Sequence, residues 1–346
     1  MKTLIPILSI TFLSILLFSC KKTENHIEEI SYSDFGEPIQ LTCENVVLKD
    51  SILNPFKIKL IDSLLFTIDV NTEYFVHVYN LNSGSMISEN ILLGNGPGEM
   101  ISADFCPTFN SDLCLLELNK KEIRRYSIAD FLSKKNPTPS STIKLSKLSD
   151  AVSILSTNRI VGVDPFNSKN KFNFFDTKGA LLETKGEYFP YKTDYTDQEI
   201  IRGFEFKYTT NFKDRIFLTH LNTDIIEIYD LKGNLLKRIQ GPDIFFPNVK
   251  ERRIGNATIV SPQKGSRDAY NGLKSGGNEV FVLYSGREAG NSETIFDQLL
   301  VFNWDGKPLR RYKLNHSTPF IEVDSKNRLI YGIVTSPENH LVKYRY

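Results

Sequence analysis

Three runs in one stretch predict the fold: Asp214-Arg215-Ile216-Phe217-Leu218, Asp230-Leu231-Lys232-Gly233 and Leu235-Leu236-Lys237-Arg238-Ile239. The apolar runs are short and rich in Ile and Phe, and Asp, Asn or Gly separates them, which is typical of antiparallel strands. The run from Asp230 to Gly233 indicates a hairpin turn, because Gly accepts a positive φ and Asp caps the turn with its side chain. The stretch therefore predicts consecutive strands joined by tight turns.

The same pattern recurs along the chain. In each copy an Asp or Asn opens an apolar run, and an aromatic residue ends the strand that follows. The opening residues are Asp62, Asp112, Asn158, Asp214, Asn278 and Asn327. The aromatic residues are Tyr79, Tyr126, Phe175, Tyr229, Phe302 and Tyr344. Six units of four strands, spaced about 46 to 64 residues apart, fit β-propeller blades better than a sandwich or an α-solenoid.

The last unit ends at Tyr346 after its third strand, so the ring needs one more strand to close. We expect Glu37-Pro38-Ile39-Gln40-Leu41, together with Val46-Val47-Leu48, to supply it, because closure removes the exposed sheet edge. The predicted fold is all-β: a single six-bladed β-propeller over residues 36–346, with four antiparallel strands per blade and an N-terminal strand closing the ring.

The N-terminus predicts export. Leu4 to Ser19 is an apolar run after Lys2 that is shorter than a membrane span, as in a secretory signal. Leu17-Phe18-Ser19-Cys20 resembles a bacterial lipobox, which implies a signal peptide over 1–19 and lipidation of Cys20. An ordinary signal peptide with an incidental Cys is the alternative. Residues 20–35 are mostly polar and predict a flexible tether to the outer membrane, with the propeller on its periplasmic or surface side.

The composition excludes two classes of protein. The chain has 42 Lys and Arg against 41 Asp and Glu, with 12% aromatic residues. A protein that binds nucleic acid by neutralising phosphates needs a basic excess, and a disordered chain is poor in aromatic residues. We therefore expect a folded monomer that binds no nucleic acid and is held to its membrane by acyl chains rather than by basic patches.

One motif supports a family resemblance. Leu93-Gly94-Asn95-Gly96-Pro97-Gly98-Glu99 follows the first blade. With the lipobox-like start and the blade pattern, it resembles the six-bladed TolB-like or NHL-like propeller lipoproteins of Bacteroides-type bacteria, which implies the fold but no established chemistry. Glu99 stands where a phosphate-binding Gly-x-Gly-x-x-Gly loop has its third Gly, and Pro97 lacks an N–H donor. This favours a structural turn between blades over an anion or ligand contact.

No local motif indicates catalysis. The five His residues form no His-Glu-x-x-His, and neither Cys-x-x-Cys nor Gly-x-Ser-x-Gly occurs, so we expect no metal site and no cofactor. Catalysis by residues distant in sequence stays open. Three Cys follow Cys20: Cys43, Cys106 and Cys114. The last two flank Asn110-Ser111, and we favour two buried thiols over a cross-strand disulfide.

Long loops are expected on one face of the ring, and two of them suggest a binding site. The long segments are Gly186–Gly203, Gly241–Asn271, Ser285–Ile295 and Gly94–Ser102. The candidate ligand-binding residues are Tyr188, Tyr191, Tyr195, Arg252 and Arg253. Aromatic faces beside cations suit stacking on sugars or recognition of a polypeptide, although such aromatic residues can also form loop cores while the charges are solvated.

These observations favour a binding or scaffold module for a protein or glycan ligand. Two alternatives stay open: a glycan hydrolase or lyase with its site at the central channel, and a structural subunit of an envelope complex. The sequence favours a binding module but does not decide whether the protein is an enzyme.

Overall fold

The structure is a computed structural model that describes residues 27–108, 112–156, 158–164, 169–189, 194–255, 257–289 and 295–346. Its sheets follow one another along the chain and confirm a six-bladed β-propeller, whose blades we number I to VI in chain order. The predicted signal peptide and Cys20 lie outside the described residues.

An N-terminal segment precedes the blades. It contains β1 (Glu28–Glu29), a 3₁₀ helix (Tyr32–Phe35), β2 (Ile39–Leu41) and β3 (Glu44–Asn45). Blade I holds β4 (Pro55–Ile61), β5 (Leu64–Asp69), β6 (Tyr74–Asn80) and β7 (Ser85–Leu92). Blade II holds β8 (Asp104–Phe105), β9 (Leu113–Glu117), β10 (Glu122–Tyr126), helix α1 (Ile128–Ser133) and β11 (Ser141–Lys144). Blade III holds β12 (Asp150–Ile154), β13 (Arg159–Val163), β14 (Asn170–Asp176) and β15 (Leu181–Glu187).

Two elements separate the later blades. Helix α2 (Asp197–Gly203) precedes blade IV, which holds β16 (Phe206–Thr210), β17 (Arg215–His220), β18 (Ile225–Asp230) and β19 (Leu235–Gln240). The hairpin of β20 (Val249–Ile254) and β21 (Ala257–Pro262) follows. Blade V holds β22 (Tyr270–Gly276), β23 (Glu279–Tyr284), β24 (Gln298–Asn303) and β25 (Pro308–Leu314). Blade VI holds β26 (Phe320–Asp324), β27 (Leu329–Val334) and β28 (His340–Arg345), with β3 as its fourth strand.

The predicted turn chemistry forms the blades. In blade IV, Asp230 Oδ1 accepts the backbone N–H groups of Lys232 at 2.8 Å and Asn234 at 2.9 Å, and Gly233 has φ 80°. The aromatic residues at the ends of the third strands are all buried, so they pack in the core between neighbouring sheets. The local repeat therefore determines both the turns and the inter-blade packing.

An N-terminal strand closes the ring, as expected, but it consists mainly of Glu44 and Asn45, and of the expected residues only Val46 adds to it, by donating its N–H to the Leu341 carbonyl at 2.9 Å. Asn45 pairs with Val342 and Glu44 with Lys343 of blade VI, whereas β2 instead runs parallel to β25 of blade V. The expectation followed the apolar residues of the segment. An outermost strand needs only its backbone groups for pairing, so polar residues can fill it.

The tether was expected to extend to residue 35, but the chain already pairs with the propeller from Glu28 onward. Strand β1 pairs with β19 of blade IV, and Ile30 and Phe35 are buried. The Phe35 ring meets the Phe302 ring edge-on at 5.2 Å between centroids. These two apolar side chains fix an otherwise polar segment against blades IV and V.

The two cysteines of blade II are free thiols in the structure. Cys106 and Cys114 are both buried, and the Cys106 N–H donates to the Cys114 carbonyl at 2.9 Å. Burial raises the pKa of Cys114 to about 11 and that of Cys106 well above its usual value. The pair thus forms part of the apolar packing, as the sequence favoured.

Candidate functional site

The aromatic candidates face inward rather than outward. Tyr188 is partly buried, its ring centroid lies 5.3 Å from Lys171 Nζ, and burial raises the pKa of its phenol. The hydroxyl of Tyr195 donates to the Pro247 carbonyl at 2.8 Å. Tyr191 lies outside the described residues. Tyr188 and Tyr195 therefore serve the packing of their loops, which is the simpler of the two interpretations that the sequence allowed.

Beneath Tyr188 lies a buried ionic network between blades III and IV. Glu227 is fully buried and accepts from Lys171 Nζ, from Arg238 Nε at 2.9 Å and from the Tyr229 hydroxyl at 2.9 Å. Although desolvation opposes ionisation, these cations hold the pKa of Glu227 well below its usual value. His220 Nε2 lies 3.4 Å from the same carboxylate. The network has no access to solvent, so it fixes the two blades together.

The cationic candidates lie on the β20–β21 hairpin, which α2 holds in place. Glu199 is fully buried and provides the link: its Oε2 accepts from the Thr196 N–H at 3.0 Å, and its Oε1 accepts from the Glu251 N–H at 2.8 Å. Thr196 Oγ1 also donates to Glu251 Oε2 at 2.6 Å. The backbone donors hold the pKa of Glu199 below its usual value. One carboxylate thus caps the helix and holds the hairpin.

Outside the contacts of Glu251 with Glu199 and Thr196, the outer part of the hairpin is exposed. Arg252 and Arg253 are exposed, as are Ile254 at 63% and Ile259 at 42%. Arg252 pairs across the hairpin with Ile259, so a cation and an apolar side chain lie next to each other on one face of the ribbon. The structure therefore separates Arg252 and Arg253 from the inward-facing Tyr188.

The Gly-rich motif forms the structural turn that the sequence favoured. The Gly96 N–H donates to Glu99 Oε2 at 2.7 Å, and a Cβ on Gly94 would overlap the same carboxylate. Arg124 Nη1 donates to the Glu99 carbonyl at 3.1 Å. Gly98 has φ 84°, which Gly adopts without strain, and Pro97 lies beside it in the turn. Gly94, Gly96, Pro97, Gly98 and Glu99 therefore serve the fold.

The central channel is a second candidate site, at which the alternative of a glycan hydrolase or lyase was expected, although the sequence indicated none of its residues. The innermost strands of all six blades surround a cavity of about 420 Å³. Two ion pairs cross between neighbouring blades there, since Lys57 Nζ lies 2.9 Å from Asp104 Oδ2 and Lys274 pairs with Glu322. The lining residues of the described chain include no histidine, and no group of three His, Cys, Asp or Glu in the described ranges could hold a metal ion.

Two further lysines enter the channel without a carboxylate partner among the described residues. Lys207 Nζ donates to Asn271 Oδ1 at 2.6 Å, and Lys59 comes from the opposite blade. Desolvation lowers the pKa of Lys207 to about 8, although the residue keeps an exposed surface. Lys57 and Lys274 add repulsion, whereas Asp104 and Glu205 oppose the shift. Desolvation also lowers the pKa of Lys59. The channel therefore holds two amines that form no direct ion pair with a described carboxylate, although Glu322 acts on Lys59, and Asp104 and Glu205 act on Lys207, at longer range.

Two patterns in the sequence could have indicated the lysines of the channel strand and the capping residue Glu199. Phe56-Lys57-Ile58-Lys59-Leu60 alternates, which places both lysines on one side of a first strand, and the first strand of a blade lines the propeller axis. Thr196-Asp197-Gln198-Glu199 is a capping box, the pattern of a helix start. The contacts of Glu199 with the hairpin carry no local signal, because Glu251 is distant in the chain.

Comparisons with known proteins agree with this architecture. The model of the TolB-like 6-blade propeller-like family matches residues 34–326. The chain belongs to the TolB-like six-bladed propeller family. This membership agrees with the resemblance of the Gly-rich motif and the blade pattern. No curated protein sequence matches the chain.

Two solved structures share the fold with this TolB-like propeller. A member of the DUF4221 family from Bacteroides vulgatus has 10% sequence identity and a TM-score of 0.58, with 89% of this chain and 98% of that chain covered. A putative exported protein from Bacteroides fragilis has 13% identity and a TM-score of 0.55, with 92% of this chain and 98% of that chain covered. At these identities the likeness concerns the fold alone.

Proposed function

We propose that this protein is a lipid-anchored binding module of the outer membrane that uses the β20–β21 hairpin to bind a membrane-associated protein with an acidic surface. One observation carries the proposal. The hairpin is fixed at its base by Glu199 while its outer part exposes Arg252, Arg253, Ile254 and Ile259. A ribbon that is held at its base and presents apolar side chains beside arginines matches the composition of protein-binding surfaces.

The position at which the N-terminal segment joins the propeller supports a partner near the membrane. Strand β1 pairs with the end of β19, and the Tyr32 hydroxyl donates to Asp243 Oδ2 at 3.1 Å, at the start of the loop that carries the hairpin. Seven peptide units separate Cys20 from Ile27, and they span at most about 25 Å. A lipid on Cys20 would therefore keep the hairpin within reach of membrane proteins.

The contacts favour a protein ligand over a glycan. Stacking on sugar rings requires free aromatic faces, but Tyr188 faces Lys171 and Tyr195 donates to a backbone carbonyl. The charges that remain exposed on the hairpin are cations, because Glu251 is tied to Thr196. An acidic protein surface complements them.

The test is quantitative co-purification of the full-length protein from its own membrane. We expect the variant R252S/R253S/I254S/I259S to lose its specific partner by about tenfold or more, which is a loss of about 1.4 kcal/mol. The matched control is K178S/L182S/K232S/L236S, which removes two exposed cations and two exposed apolar side chains from other blades. Equal recovery from wild type and the hairpin variant, or an equal loss from both variants, would overturn the proposal.

Membrane attachment has a separate test. None of the helices in the described part of the chain is long and apolar enough to span a membrane. We expect metabolic labelling with an alkyne fatty acid to mark the wild type and not Cys20→Ser, because the thiol of that residue carries the lipid. A wild type that takes up no label would contradict the lipid anchor and leave the hairpin test valid.

A further inference from the structure

The central channel combines a cavity of about 420 Å³ with four lysines and four carboxylates in its lining. Four lysines from blades I, IV and V line the channel, and two of them form ion pairs with carboxylates. Lys57 pairs with Asp104 at 2.9 Å, and Lys274 pairs with Glu322. These pairs link neighbouring blades and need no ligand.

The other two lysines are arranged differently. Lys207 donates to the neutral amide oxygen of Asn271 at 2.6 Å, and Asn271 itself donates to the Pro319 carbonyl at 3.3 Å. Within the described chain no carboxylate lies within ion-pair distance of Lys59 or Lys207. Blades I and IV are three places apart in a ring of six, so the two side chains enter the channel from opposite walls.

We propose that the central channel binds a small organic anion, whose carboxylate, sulfate or phosphate groups are held by Lys59 and Lys207. An ammonium group that has lost part of its hydration gains strongly from a charged acceptor, because hydrogen bonds between ions are stronger than neutral ones. The cavity of about 420 Å³ is the size of a small-molecule site. This site is separate from the hairpin and does not depend on its function.

The remaining acids limit which anion fits. Asp150 Oδ1 accepts the Ala151 N–H at 2.8 Å, and Glu205 lies exposed beside Lys207 at the start of blade IV. Both would repel an anion that fills the whole channel. The site therefore selects a compact anion that reaches the two lysines and avoids these carboxylates.

The test is calorimetric titration of the purified full-length protein with sodium sulfate and, separately, with sodium succinate at constant ionic strength. Sulfate represents a single oxyanion and succinate a molecule with two carboxylates. We expect saturable millimolar binding of at least one probe, and a loss of about tenfold or more in K59M and in K207M. The control K178M removes an exposed turn lysine and should bind as wild type does. Thermal unfolding verifies that each variant is folded.

Two conservative variants separate charge from structure. K59R and K207R keep the positive charge and should retain binding within about threefold. Sulfate keeps its charge between pH 7 and 9, whereas Lys207, with a pKa of about 8, loses its proton over that range. Affinity of the wild type for sulfate should therefore fall as the pH rises, and the fall should be smaller in K207R. No saturable binding of either probe, or equal binding by wild type, K59M and K207M, would overturn the proposal.

Discussion

We expect the substitution Glu227→Gln to destabilise the propeller, because Glu227 neutralises two buried cations. Its carboxylate accepts from Lys171 Nζ and from Arg238 Nε and Nη2, the last at 2.8 Å, and all three side chains are buried. Glutamine keeps the shape of the side chain but removes the counter-charge that Glu227 provides to both cations. The perturbation therefore isolates the electrostatic part of the contact between blades III and IV.

Removing one partner of a buried ion pair typically costs about 3–5 kcal/mol, because the other charge stays desolvated. Unfolding entropy of about 2.1 cal/mol/K per residue, over a domain of roughly 310 residues, converts this loss to a fall in Tm of about 5–8 °C. The double variant E227Q/K171M should lose less unfolding free energy than the sum of the losses in its two single variants. It removes one of the buried cations together with the carboxylate that neutralises it.

Urea unfolding followed by tyrosine and tryptophan fluorescence measures the effect, with Glu338→Gln as the control at an exposed site. The pKa of Glu227 is lower in the folded protein than in the unfolded chain. Its contribution to stability is therefore present above the unfolded value of about 4.3 and is lost as the pH falls. The difference between wild type and E227Q should shrink from pH 7 toward pH 3. A change within about 0.5 kcal/mol at pH 7 would refute the reasoning.

Three further predictions concern the ring closure, the thiols and the channel. Truncation through residue 26 should leave thermal unfolding of the remaining domain unchanged, whereas truncation through Asn45 should lower its Tm because blade VI loses its fourth strand; equal Tm values would contradict this. Cys106 and Cys114 should resist a thiol reagent at pH 8 in the native protein, because both are buried and burial raises their pKa values. Both should react after denaturation without reductant, because they are free thiols. Thiols that stay unreactive after denaturation would indicate a disulfide. Lys207 should be acetylated faster than surface lysines at pH 8, because its pKa is about 8, and peptide mass spectrometry should show the difference; labelling no faster than that of Lys178 would contradict the lowered pKa.

Local chemistry explains how much of the fold could be predicted. The turn at Asp230 to Gly233 needs only residues next to each other in the chain, so its sequence indicates its conformation. The closing strand was placed correctly only at Val46, because Glu44 and Asn45 contribute backbone groups and give no apolar signal. The number of blades was predictable, whereas the path of the first strand was not.

The candidate site was less predictable, because its contacts join distant residues. Lys171 and Glu227 are 56 residues apart, and no local pattern relates them. The aromatic residues around Tyr188 indicate a loop with apolar content, but only the position of Lys171 shows that the ring faces inward. Lys207 is one charged residue among many in the sequence, and only the propeller geometry brings it to the axis opposite Lys59.

Site-specific photo-crosslinking in the native membrane tests the central claim most directly. A photoreactive amino acid at Ile254, in the otherwise unchanged full-length protein, is compared with the same amino acid at Leu236, which is exposed on the outer strand of blade IV. We expect one protein adduct from position 254 that is absent from position 236 and disappears when Arg252 and Arg253 are replaced by Ser. No protein adduct from position 254, an adduct with lipid alone, or the same adduct from both positions would contradict it.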